Sequence, residues 1–193
     1  MAFSVRLPEA PPEWRHRPVL AFASLAAYAL AYVGLAQLAQ IFFIGGHGII
    51  AVWPPSGLVL GVMLASRRRL WPWLLATVFA ANLASSFIAG PALWPAVAYS
   101  LVDVAEGWLG PALVLRFAGG VPSLTRLRHV VALLLGAVVA TGVSGLGGMA
   151  VTRWGTEGAA WWSGFTWWAS NALGVLLVTP SLLAVAEGRL SAD

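Results

Sequence analysis

The chain has no cysteine and no lysine, and only 9% of its residues are charged. Without cysteine, neither a disulfide framework nor a thiolate metal site can form. A soluble domain carries about a quarter charged residues, so this chain has too few to clothe a surface in water. Also missing are G-x-S-x-G, H-E-x-x-H, a phosphate loop and a dinucleotide fingerprint, the patterns that would point to catalysis or a nucleotide cofactor. No cleavable leader is expected, since Pro11, Pro12 and Arg15-His16-Arg17 precede a long apolar run without a small-residue cleavage site. What the chain has in abundance is apolar residues, at 60%, with 11 Trp and 21 Gly. Tryptophan anchors membrane interfaces, and glycine is tolerated in membrane helices.

A helix needs roughly 20 apolar residues to cross the hydrocarbon core. The pattern predicts spans at 19–43, 49–66, 70–89, 91–115, 127–150 and 160–186. They are separated by Gly45-Gly46-His47-Gly48, Arg67-Arg68-Arg69, Gly90-Pro91, the stretch from Arg116 to Arg128, and Arg153 to Gly158. The expected fold is all-α, a polytopic transmembrane bundle of six spans. Orientation follows from the arginines. With a cytoplasmic N-terminus, Arg6, Arg15, Arg17, Arg67, Arg68, Arg69, Arg116, Arg126, Arg128 and Arg189 face the cytoplasm, and Arg153 alone faces outward. The net charge of +4 is therefore a topology signal and not a nucleic-acid signal. Residues 1–18 read as a cytoplasmic segment, 19–186 as the membrane domain, and 187–193 as a cytoplasmic tail with no output domain attached.

Polar side chains at bilayer depth are costly, about 2.5–3.5 kcal/mol for an aspartate at a helix centre. Asp103 and Glu106 are three residues apart and share one helical face. Asp103 lies roughly 18 Å in from Pro91, near the midplane. Asn82 and Asn171 fall at similar depth, so four polar residues on three spans form a candidate buried layer. The competing reading is a hydrogen-bonded cluster that only ties helices together. The second span carries Trp53-Pro54-Pro55-Ser56-Gly57. Proline suits the first turn of a helix and disrupts its interior. The helix is therefore expected to begin near Pro55, roughly 16 Å from its end at Ser66, with 45–53 as non-helical backbone. Its free amides at Ser56 and Gly57 would need an acceptor, such as Asn82, a water or an anionic ligand.

In the fifth span, Thr141 with Gly145 and Ser144 with Gly148 read as close-packing positions. Trp161 and Trp162 read as an interfacial belt, and Trp167 and Trp168 as candidates to line a cavity. His47 and His129 are isolated, and no metal site or cofactor is expected. Gln37 and Gln40 read as hydrogen-bonding within the bundle. The candidate ligand-binding residues are Trp53, Ser56, Asn82, Asp103, Glu106, Trp168 and Asn171.

Taken in order, Trp53-Pro54-Pro55-Ser56-Gly57, Arg69-Leu70-Trp71-Pro72, Asn82, Glu106 through Gly110, and Trp168 through Pro180 resemble the first of the bacterial membrane-associated sensor domain families. The resemblance covers about 20–185. It implies an integral membrane sensory module of the bacterial inner membrane, N-terminal to a histidine kinase, diguanylate cyclase or similar output domain, or acting through a membrane protein partner. The sequence departs from the expected pattern at Asn171, where the resemblance implies an aspartate. The alternative function is a substrate-capture or structural subunit of a larger membrane complex. The topology is testable: reporter fusions after Arg69, Arg116 and Arg189 should score as cytoplasmic, and those at Gly46, Gly90 and Gly155 as external. An external signal at Arg189 would mean an odd number of spans.

Overall fold

A computed structural model describes residues 18–41, 43–44, 49–90, 93–155 and 160–190. The expectations for the N-terminal segment, for 45–48, for Pro91 and for 191–193 lie outside the described residues. Among the described residues, six helices follow in order: α1 (Pro18–Ile41), α2 (Pro54–Ala65), α3 (Trp71–Ala89), α4 (Leu93–Ala118), α5 (Leu127–Gly155) and α6 (Ala160–Leu190). Each falls within a predicted span or overruns its end by a few residues. Between α1 and α2, Phe43–Ile44 and Ile49–Ile50 pair as a minimal antiparallel ladder, a detail absent from the all-α expectation.

The segments Pro18–Ile41, Arg68–Ile88, Leu127–Trp154 and Trp161–Ala186 are long and apolar enough to cross a membrane. Helix α4 has the length, 26 residues or about 39 Å, but Asp103 and Glu106 dilute its apolar character. Helix α2 has neither the length nor the exposure to span: it is 12 residues long, about 18 Å. The surface is what a lipid solvent requires. Phe22, Leu30, Phe87, Leu101, Trp108, Leu146 and Leu177 are exposed, while Asn82, Ser100, Asp103, Glu106, Thr141, Ser144 and Asn171 are buried. Water would impose the reverse arrangement.

The short α2 sits at the centre. Of its 12 residues, Pro55 through Gly61, Met63 and Leu64 are buried, and a helix apolar on all sides belongs in a core. Leu58, Val59 and Met63 pack with Tyr28 and Tyr32 of α1 and with Trp71, Leu74 and Val78 of α3. Leu60 and Leu64 pack with Val114 of α4, Leu133 and Ala137 of α5, and Val175 and Leu183 of α6. Around this axis α4 lies against α3 and α5, α5 against α6, and α1 against α3.

The entry to α2 bears out the expected helix start. The helix begins at Pro54, with Trp53 in the cap position and prolines in the first turn, and Ala51 to Trp53 have no regular structure. The acceptor for its first amide differs from expectation. Ser56 N–H donates to the Trp53 carbonyl at 3.3 Å, closing the turn on the backbone, while Asn82 lies elsewhere. The two prolines carry no N–H, so the helix start exposes few donors to satisfy. At the far end, the Trp71 indole donates to the Met63 carbonyl at 3.1 Å, satisfying one of the last carbonyls of α2.

Helix α2 is fastened to α6 through backbone. Trp53 N–H donates to the Ser170 carbonyl at 2.9 Å, and the Thr179 hydroxyl donates to the Gly57 carbonyl at 2.9 Å. The crossing is so close that a Cβ on Gly57 would overlap the Gly174 carbonyl, and one on Gly174 would overlap the Trp53 carbonyl. Close approach at small residues is how helices associate in lipid, where no hydrophobic drive between them exists. The small residues of α5 behave in the same way. A Cβ on Gly145 would stand 2.8 Å from the Gly164 carbonyl, and one on Gly148 would stand 2.8 Å from the Trp167 ring.

Gly57→Ala and Gly174→Ala should each destabilise the detergent-solubilised protein by about 1–3 kcal/mol, the usual cost of overpacking. Gly34→Ala, with nothing within 4 Å of the new methyl, should not. Equal thermal midpoints for all three variants would show that the α2–α6 crossing is looser than described.

Candidate functional site

Glu106 is the residue on which the bundle converges. It sits on the inner face of α4, 7% exposed, and accepts hydrogen bonds from three other helices. Asn171 of α6 donates through Nδ2 at 2.8 Å, the Ser144 hydroxyl of α5 donates to the same oxygen, and the Ser56 hydroxyl of α2 also bonds the carboxyl. One turn earlier, Asp103 accepts from the Tyr32 hydroxyl of α1 at 3.0 Å through Oδ2. Its Oδ1 is buried without a hydrogen-bond partner. The i, i+3 spacing read from the sequence therefore does place the two acids together, and the acids between them engage four helices besides their own.

Two chambers adjoin this cluster. The inner one, about 20 Å³, is lined by Tyr32, Ser56, Asp103, Glu106 and Thr141 among apolar side chains of α2 to α6. That is room for about one water. The outer one, about 220 Å³, lies where α4 and α6 begin and α5 ends. Its lining includes Trp53, Tyr99, Thr152, Trp167, Ser170 and Asn171. Tyr99 and Trp167 stack at 5.1 Å between centroids, and the Tyr99 hydroxyl meets Thr152 Oγ1 at 3.1 Å. Asn171 belongs to both regions: it borders the outer chamber and its amide holds Glu106.

The sequence-derived candidates divide accordingly. Ser56, Asp103, Glu106 and Asn171 come together, and Trp53 walls the outer chamber. Asn82 does not join them. Its Nδ2 points to Ser100 Oγ at 3.4 Å, one turn of α4 before Asp103, and Ser100 in turn donates to the Ala96 carbonyl at 2.8 Å. Trp168 also lies apart. Its indole N–H donates to the Val138 carbonyl at 3.2 Å, its ring stands over Gly142 of α5, and its Cβ and backbone lie against Gly145. Its neighbour Trp167 takes the chamber wall. Adjacent residues on a helix point about 100° apart, so only one of the pair can face that chamber.

Sequence reading missed Tyr32 and Ser144. Ser144 was visible only as a small residue in a packing motif, and Tyr32 as one aromatic in an apolar span. No periodicity tells which polar groups on separate helices will meet. Gln37 does bond within the bundle, to Ser85 Oγ at 2.9 Å. His129 accepts from the Ser123 amide at 2.9 Å and so serves a loop. Among the described residues, no group of three or more His, Cys, Asp or Glu is placed to hold a metal ion.

A bundle with an apolar exterior, a central half-helix and a buried acidic cluster defines an integral membrane protein whose polar chemistry faces inward. The family model for MASE1 matches residues 19–192, and the chain belongs to this family of membrane-associated sensor domains, found in histidine kinases and diguanylate cyclases. It is a sensory family and not a catalytic one. No curated protein and no solved structure matches the chain.

Proposed function

We propose that the chain is a six-span sensory module of the bacterial inner membrane with both termini in the cytoplasm. A small ligand enters the outer chamber, and the change reaches a cytoplasmic kinase or cyclase output domain through α6. The observation that supports this most is the double role of Asn171, which borders the chamber and donates to Glu106. A ligand that competes for the Asn171 amide would loosen Glu106, and with it the contact of α6 with α2, α4 and α5. Ligands shift such equilibria only by as much as they bind the two arrangements differently. A bond made in one arrangement and broken in the other supplies that difference.

The dimensions of α6 suit the relay. It has 31 residues, about 46 Å, against a hydrocarbon core of about 30 Å. It therefore extends past the core, and the arginine distribution directs its C-terminal end to the cytoplasm. The exposed apolar surface is in contact with membrane lipid.

The test joins the chain in frame to a diguanylate cyclase domain and measures cyclic dinucleotide in cells. Asn171→Ala and Glu106→Gln should each change output at least threefold at equal membrane abundance, and Asn82→Ala should leave it within about 1.5-fold, because Asn82 stands outside the cluster. Output unchanged by both cluster variants would contradict the relay. Stoichiometric capture in a transport complex, with no effect on output, would favour the subunit reading.

A further inference from the structure

We infer that the inner chamber is a binding site for one small monovalent cation, with Na⁺ as its natural occupant, held by oxygen atoms from α1, α2, α4 and α5. The inference rests on the sensory reading for its place in the molecule, and its test reads binding alone.

The first observation is a polar atom that lacks a partner. Asp103 is 7% exposed, lines the chamber, and has Oδ1 buried with no hydrogen bond. Leaving a carboxyl oxygen unpaired in a low-dielectric interior is costly. The second, independent observation is the direction of the protons at the chamber. The Tyr32 hydroxyl gives its proton to Asp103 Oδ2, Thr141 gives its proton to the Ala137 carbonyl at 2.7 Å, and Ser56 is hydrogen-bonded to Glu106. Each hydroxyl that lines the chamber is thus left with lone pairs to offer. Among the described residues, no side-chain N–H lines it. A chamber bordered by acceptors alone selects an occupant that is positive.

Charge points the same way. Four donors, from Tyr32, Ser56, Ser144 and Asn171, converge on the two carboxyls, so both groups serve as acceptors. A cation would give these carboxyls the partner that a buried carboxylate needs, since among the described residues no lysine, arginine or histidine lines the chamber. The available ligands are hard oxygens, which suit alkali and alkaline-earth ions and not the softer transition metals. Size and ligand number separate these two groups. The chamber holds about one water-sized particle, whereas Mg²⁺ dehydrates reluctantly and keeps several waters. Ca²⁺, close to Na⁺ in size, takes about six to eight oxygen ligands, more than Tyr32, Ser56, Thr141 and the unpaired Asp103 oxygen supply. Asn171 borders the outer chamber and bonds Glu106, which lines the inner one.

The experiment measures thermal unfolding of the purified chain in detergent as NaCl replaces choline chloride at constant ionic strength, at two pH values, with KCl as a third series. The midpoint should rise saturably with Na⁺, as expected for a ligand bound only by the folded state. It should rise less with K⁺ and not at all with choline. Asp103→Asn should abolish the Na⁺ response. Should that variant fail to fold, Thr141→Val, which removes a chamber oxygen at nearly constant volume, should weaken apparent Na⁺ affinity at least tenfold. Asn82→Ala, outside the chamber, should keep the response. A midpoint insensitive to Na⁺ at both pH values overturns the inference, as does a Na⁺ response that survives undiminished in Asp103→Asn or, where that variant does not fold, in Thr141→Val. A pH response lost in Asp103→Asn without any Na⁺ response assigns the chamber to a proton and also overturns it.

Discussion

Within a bilayer, every backbone polar group must find its partner inside the protein, and the start of α2 is where this chain meets that demand under most difficulty. A helix that begins at Pro54 leaves amides and irregular chain at depth, tolerated only where protein encloses them. The enclosure is specific. Two prolines remove donors, the Trp53 carbonyl takes the Ser56 amide, and Ser170 of α6 takes the Trp53 amide. Once α2 must be surrounded, its residues become buried on every side. Gly57 and Gly174 must then lack side chains so that α6 can approach.

The acidic cluster follows from the same geometry. Because α2 occupies the centre, Ser56 reaches the level of Glu106, and α5 and α6 close over it with Ser144 and Asn171. Removing one partner of such a group is more damaging than never having formed it, since the remaining buried group is left unsatisfied. Conformational change at this site is therefore constrained to alternatives in which Glu106 is satisfied by something else. On the sensory reading proposed above, that constraint is what would give a ligand or an ion influence over α6.

Much of this was legible before any coordinates. The helix limits follow from apolar run length and arginine placement, and the helix start at Pro54 from the chemistry of proline. Asp103 and Glu106 declared themselves by their cost at depth. What the sequence could not convey was rotation and pairing. Depth arithmetic placed Asn82 with the acids, but depth says nothing about which way a side chain points. Asn82 turns toward Ser100, one turn away. Trp167 and Trp168 are equally aromatic and equally deep, and only the packing of α6 on α5 sends Trp168 to Val138 and Trp167 to Tyr99. Likewise Tyr32 and Ser144 are ordinary residues of apolar helices until the bundle brings them to the carboxyls.

The central claim is that Glu106 and Asn171 form an energetically real bond between α4 and α6. A double-mutant cycle on folding stability isolates that bond. The variants are Glu106→Ala, Asn171→Ala and the pair together. Coupling of about 0.6–2 kcal/mol, the range for hydrogen bonds between membrane helices, is the result expected. Strict additivity of the two substitutions would contradict the claim, since the amide and the carboxyl would then meet without holding the helices together.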